Sequence, residues 1–190
     1  METLLLFLLF IPYMLIRYLF ADHETQAEKD TKRYQEGVRL VLNKKYAEAS
    51  RYFDKVLKEK PNCAIAYAYR GKCNLHLDNL YSCVFDCTRA SSLDGTLAES
   101  YLNKGKALYQ LEEYAQAFLE FDKAVWYFRN SAEAFRWRAL ARIRLSQAYT
   151  RVEEDFLKAI GLGDEEAAHY LRLVSLQYEG NVQDKSVGKK

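Results

Sequence analysis

The stretch Tyr101–Ala124, YLNKGKALYQLEEYAQAFLEFDKA, sets small residues against rings in a fixed order. Tyr101 lies four residues before Gly105, and Tyr114, Ala117, Phe121 and Ala124 lie nine, twelve, sixteen and nineteen after it. Moving outward by 34 residues finds the same order: Gly71 and Gly37 precede Gly105 at that spacing, and Ala139 follows. Around Gly71 come Tyr67, Leu80, Cys83, Cys87 and Ala90, and around Gly37 come Arg33, Tyr46, Ala49, Phe53 and Val56. Self-similarity at a period of this length marks an array of stacked supersecondary units, each unable to bury its apolar face alone.

The alternation of small and large has a packing cause. Two antiparallel helices approach closely where one lacks a side chain and a ring from the other fills the space. Leucine at Gly71 or Gly105 would overpack that contact, at about 1–3 kcal/mol or more. Ala49, Tyr52, Phe53, Val56 and Leu57 are spaced three and four apart, which places one apolar stripe on a helix. No stretch alternates with period two for long enough to compete, so the chain is expected to be all-α.

These residues resemble the tetratricopeptide repeat family, whose pattern runs aromatic, Gly, Tyr, Ala, aromatic, Ala and Pro. Gly37, Tyr46, Ala49, Phe53 and Pro61 carry the match in the first repeat, and Tyr101, Gly105, Tyr114, Ala117, Phe121 and Ala124 in the third. The second departs from it, with Asn74 at a usual tyrosine and Gly95 at the closing proline; in the fourth, Phe156 and Ala159 come one residue late, which places an insertion near residues 147–152. The resemblance implies a right-handed α-solenoid of about four hairpins, over residues 30–63, 64–97, 98–131 and 132–166. An amphipathic segment, 164–178, would cap the stack with Ala167, Ala168, Leu171, Val174 and Leu176 available for burial, because a terminal hairpin needs a cover with one wet face. The polar stretch 179–190 reads as a disordered tail.

In the family the concave groove holds other polypeptides and has no chemistry of its own. Its lining positions, carried over, include Tyr34, Val38, Ala68, Lys72, His76, Leu102, Lys106, Tyr109, Arg136 and Leu140. This mixture of apolar and cationic side chains suits a peptide with hydrophobic anchors and some acidic groups. The carboxylate clamp of chaperone-binding members needs Lys and Asn on the first helix, where Tyr34 and Val38 stand instead. The expected function is an interaction adaptor, with self-association of the chain through the same surface as the alternative.

Residues 3–16 carry no charge, and Arg17 interrupts before Tyr18, Leu19, Phe20 and Ala21. As a helix, 3–21 spans about 28 Å, close to the apolar thickness of a bilayer. A transmembrane anchor and a cleaved secretory signal compete for this segment. The bulky Leu19-Phe20-Ala21 sequence and the lack of basic residues before the apolar run favour the anchor. Arg17, Lys29, Lys32 and Arg33 all follow it, which would place the repeats in the cytoplasm beyond a polar linker, 22–29. Cleavage would instead give an exported soluble repeat protein.

The remaining composition is restrictive. A net charge of +2 gives no basic face of the kind nucleic acid selects. Arg136, Arg138, Arg142 and Arg144 cluster, but charged helix faces are most often solvated. Cys83 and Cys87 fall on small and aromatic repeat positions and Cys73 beside the helix contact, so the cysteines read as buried packing residues rather than metal ligands. No phosphate loop, nucleophile elbow or paired-histidine motif occurs, so neither a cofactor nor catalysis is expected.

Overall fold

The computed structural model describes residues 10–15, 17 and 24–187, with the backbone alone at 177 and 179–187. Every element among the described residues is helical. The chain divides into two compact units between Arg33 and Tyr34.

In the first unit residues 10–15 are helical, and helix α1 covers Gln26–Arg33. Its start is fixed by a reciprocal cap: Glu28 N donates to Thr25 Oγ1 at 3.2 Å and Thr25 N donates to Glu28 Oε2 at 2.7 Å. The helix start falls within the segment read as a polar linker, 22–29. The Thr-x-x-Glu signature that makes it was present in the sequence. No helix among the described residues is long and apolar enough to cross a membrane. Most of the proposed anchor, 3–21, lies outside them.

The second unit contains α2 (Gln35–Leu42), α3 (Tyr46–Glu59), α4 (Ala64–His76), α5 (Leu80–Leu93), α6 (Ala98–Gln110), α7 (Tyr114–Tyr127), α8 (Ala132–Arg144), α9 (Tyr149–Gly161) and α10 (Glu165–Val187). Successive helices pack as hairpins α2/α3 to α8/α9, and α10 packs on α9. The first repeat's leading helix starts at Gln35 rather than Asp30, with Tyr34 at φ −105° and ψ 29° just ahead of it. Arg33, exposed, stands where the other repeats carry Tyr67, Tyr101 and Phe135.

The glycine slots explain the tightness of the hairpins. A Cβ on Gly105 would lie 2.5 Å from Phe121 Cε1, one on Gly37 would lie 2.7 Å from Phe53 Cζ, and one on Gly71 would lie 2.7 Å from Cys87 Sγ. Gly161, at the end of α9, has nothing within 4 Å. Gly105→Ala is therefore expected to destabilise by about 1–3 kcal/mol through overpacking. Gly161→Ala should raise stability by about 0.5 kcal/mol by restricting the unfolded chain. Urea denaturation of the two variants should shift the midpoint in opposite directions.

The turn inside each hairpin is also periodic. Lys44, Asp78, Glu112 and Ser146 have φ of 59°, 60°, 62° and 51°, each 34 residues from the next. The following residue closes the turn in every case: Lys45 N, Asn79 N, Glu113 N and Gln147 N donate to the carbonyls of Leu40, Asn74, Leu108 and Arg142 at 2.9–3.0 Å. This is the Schellman helix end, which favours glycine at the left-handed residue. After α9 the same position is Gly163, at φ 91°. Glu112→Gly removes a left-handed penalty of about 1–2 kcal/mol and adds about 0.5–1 kcal/mol of chain entropy, so thermal denaturation should show a net gain. The insertion in the fourth repeat appears here: four residues, 145–148, join α8 to α9, where three join each earlier pair.

Each large repeat ring continues into the next unit. Phe53 stacks on Tyr69 at 5.5 Å, Phe121 on Trp137 at 5.9 Å and Phe156 on Tyr170 at 6.3 Å, measured between ring centroids. The last pair seats α10 as the leading helix of a fifth, incomplete unit, with Ala167 fully buried beneath it. Leu176, expected to be buried, is 61% exposed, because the buried side of α10 follows Ala167, Tyr170, Leu171 and Val174. The helix also runs beyond Tyr178 to Val187, into the stretch read as a tail. Gly180 costs a helix interior only about 1 kcal/mol, too little to stop it in the absence of proline.

Charges lock neighbouring hairpins. Arg70 Nε and Nη2 donate to both Asp86 oxygens at 2.9 and 2.6 Å, and Nη1 reaches back to Asp54 at 2.7 Å. Asn74 Nδ2 also donates to Asp86 at 2.9 Å. Donation of these hydrogen bonds to Asp86 raises the Arg70 pKa, against the opposing effect of burial. Sixty-eight residues on, Arg138 repeats the arrangement with Asp155 at 3.0 and 2.6 Å and Asp122 at 2.7 Å. Lys104, midway, pairs with Glu120 at 3.2 Å. Arg142 approaches Asp155 at 3.0 Å as well. Arg138 and Arg142 are thus a partly buried, ion-paired couple and not the solvated pair the charge pattern suggested.

Candidate functional site

The leading helices form one wall: α4 packs on α2 and α6, and α6 packs on α8, besides their hairpin partners. The groove positions named from the sequence fall on this wall: Val38 on α2 with Tyr34 just before it, Ala68, Lys72 and His76 on α4, Leu102, Lys106 and Tyr109 on α6, Arg136 and Leu140 on α8. Helical spacing explains the grouping, since residues four apart share a face.

The cations on the wall are not free. Lys72 Nζ lies 2.5 Å from Glu99 Oε1, and Lys106 Nζ lies 2.5 Å from Glu133 Oε1. In both cases a lysine one residue after a small-residue slot meets a glutamate six residues before the next slot. Arg136 closes the row with Asp164 at 2.8 Å and Glu166 at 2.6 Å. Burial alone would lower the Lys72 pKa, but the hydrogen bond and charge of Glu99 outweigh it and raise the value. Burial likewise opposes ionisation of Glu133, and Lys106 overrides it and lowers the pKa.

Rings fill the space between these bridges. His76 stacks on Tyr46 with centroids 4.1 Å apart. Its pKa is lowered by burial first and by the charges of Lys106 and Lys72 next, so the imidazole sits in a net positive field. Tyr109 meets Trp137 edge-on at 5.4 Å and Tyr114 at 5.1 Å, and Arg144 Nε donates to its hydroxyl at 3.2 Å. Lys106 Nζ and Arg136 Cζ each lie 6.0 Å from the Trp137 ring, within cation–π range.

Leu102 is the exception among the named residues. It is buried in the core cluster with Phe121 and Phe135, so it supports the wall from behind and is not offered to a partner. Tyr46 and Trp137 were missed. Trp137 lies two residues before the fourth slot, where the second repeat has Tyr69, so the ring recurs in sequence, but its contact with Tyr109 and Lys106 depends on the superposition of α6 and α8.

The cysteines are chemically quiet. All four are buried, and none forms a disulfide among the described residues. Burial pushes the Cys73 thiol up to about 12. The hydrogen bond with Cys83, then burial, raises Cys87 well above the ordinary thiol range. Neither is a thiolate at neutral pH.

No protein-family profile matches the chain. Among curated proteins it is 34% identical over 109 residues to a 58 kDa phosphoprotein of Plasmodium berghei, covering 56% of this chain and 26% of that one. It is 26% identical over 99 residues to the Hsp70-Hsp90 organizing protein of Triticum aestivum, covering 52% of this chain and 17% of that one. The chain therefore spans about a quarter or less of these relatives. Among solved structures, the MamA protein superposes with a TM-score of 0.67 at 24% identity, over 83% of this chain and 86% of that one. The first repeat domain of Spaghetti (RPAP3), bound to the HSP90 peptide SRMEEVD, gives a TM-score of 0.58 at 21% identity, over 61% of this chain and 93% of that one. With its own 34-residue period and these neighbours, the second unit has the tetratricopeptide-repeat solenoid fold.

Proposed function

We propose that this chain is an interaction adaptor that holds a segment of another protein against the wall formed by α2, α4, α6 and α8. The observation that carries the reading is the row of Lys–Glu bridges interleaved with half-exposed rings, a surface patterned for side-chain contacts with a peptide. The Hsp70-Hsp90 organizing protein among the partial relatives, and a neighbour of like fold bound to an HSP90 peptide, support peptide capture in general. The partner chemistry differs from a carboxylate clamp, because Tyr34 and Val38 stand at the first-helix positions and Lys72 and Lys106 are already neutralised. A segment that offers apolar anchors to Tyr109, Trp137 and His76, with carboxylates that compete for the lysines, fits best.

Affinity capture with the tagged full chain tests this. Lys72→Glu with Lys106→Glu should abolish recovery of a partner retained by the parent chain, with circular dichroism compared with the parent because both lysines are partly buried. Undiminished recovery contradicts the groove.

The adaptor is further proposed to be membrane-tethered through residues 3–21, with the repeats on the cytoplasmic side. Support comes from the uncharged run 3–16 and the cations that follow it. Mass spectrometry of the mature amino terminus separates this from export: an intact start is expected, and cleavage near Ala21 would favour the exported form.

A further inference from the structure

We propose that the crease between the third and fourth hairpins, on the side away from the groove residues, is a second binding site for a protein segment that places a carboxylate beside an aromatic or branched apolar side chain. The crease forms an open recess of about 380 Å³, walled by Asp122, Trp126, Arg129, Phe135, Arg138 and Lys158, with Asp122 already held by Arg138. Such a volume admits one large side chain and its neighbour.

Three observations select the occupant. Arg129 and Lys158 have no acidic partner among the described residues, whereas Lys72, Lys106, Arg136 and Arg138 each have at least one. Two uncommitted cations in one recess call for an anion. Trp126 is 68% exposed although its ring borders the recess, and the Arg129 guanidinium carbon lies 5.4 Å from that ring. A large ring left in water with a cation stacked on it is a favoured anchor at protein contacts, where Trp and Arg carry most of the energy. The floor of the recess is apolar, since Val125 and Phe135 are each 8% exposed.

The repeat pattern shows that packing does not demand these residues. The places of Trp126 and Arg129 in the third repeat hold Lys58 and Pro61 in the first and Ser92 and Gly95 in the second. All three repeats close the same hairpin, so Trp126 and Arg129 are extra to the fold. The corresponding recess between the first and second hairpins differs in kind, because the cation in its lining, Arg70, is committed to Asp86 and Asp54. An anionic bilayer suits the site less well than a peptide: the charges line a recess, and the exposed carboxylate of Asp122 stands at its edge.

The test uses the full chain and fluorescein-labelled peptides in an anisotropy titration, one with a Glu-Phe-Asp core and one with Lys-Phe-Lys, alongside vesicles with and without phosphatidylserine. The acidic peptide is expected to bind and the basic one to fail. Trp126→Ala, and separately Arg129→Glu with Lys158→Glu, should each weaken binding by about tenfold or more. In a Lys72→Glu, Lys106→Glu background, which removes the groove's contribution, Trp126→Ala should still weaken binding of the acidic peptide by about tenfold, which separates this site from the groove. Trp126, Arg129 and Lys158 are exposed, so circular dichroism and the melting temperature of their variants should match the parent. The proposal is overturned if the acidic peptide does not bind, if the basic one binds equally, if both sets of variants retain full affinity, or if only the anionic vesicles are bound.

Discussion

Truncating Phe121 to alanine is expected to lower the unfolding free energy by about 3–5 kcal/mol, the usual range for a buried ring replaced by a methyl group. Phe121 has no exposed surface. It lies where a Cβ on Gly105 would collide, and it stacks on Trp137 across the next hairpin junction. The cavity left behind would be bounded on both sides by helices held by other contacts, so collapse is limited. In a linear array stability is approximately the sum of unit and nearest-neighbour terms, and Phe121 contributes to both. Urea unfolding of Phe121→Ala should show a reduced midpoint, or two transitions if the third unit uncouples from its neighbours. A change under 1 kcal/mol would contradict the assigned packing.

The second large effect concerns charge. Arg70→Met leaves the Asp86 carboxylate almost fully buried with Asn74 as its remaining side-chain donor. Breaking one side of a buried pair typically costs about 3–5 kcal/mol, and because Arg70 is partly exposed the lower end, about 3 kcal/mol, applies here. The double variant Arg70→Met with Asp86→Leu should recover most of that loss, because no unpaired charge is then left in the interior. Recovery in the double variant identifies desolvation of Asp86 as the cause. Equal loss in single and double variants would mean that Arg70 acts through packing of its stem alone.

Much of this architecture was legible because helix contact leaves a trace in residue size. The glycines at 37, 71 and 105 and the rings at 53 and 121 are partners in space at a fixed distance in sequence, so the period exposes the contact. The delayed Phe156 located the longer turn for the same reason. The left-handed turn residues were not legible, since Lys44 and Glu112 have no preference for that backbone and are held there by the hydrogen bonds around them. The ion ladder was hidden differently. Arg70 and Asp86 are sixteen residues apart on different helices, so no helical spacing in the sequence joins them. Within the candidate groove, spacing placed Lys72, His76, Lys106 and Tyr109 on one wall. It did not show that Glu99 and Glu133 neutralise the lysines, or that Leu102 faces inward. Those outcomes depend on how one hairpin lies on the next.

The central claim is that the leading helices present the partner-binding wall. The most direct measurement places a photo-crosslinking amino acid, in separate full-length chains, at Val38, Lys72, Lys106 and Leu140, which share one repeat position on those helices, and at Phe85 and Leu119, which are exposed on the second helices. Adducts with a partner from the first set and none from the second are expected. Adducts confined to Phe85 and Leu119 would contradict the assignment.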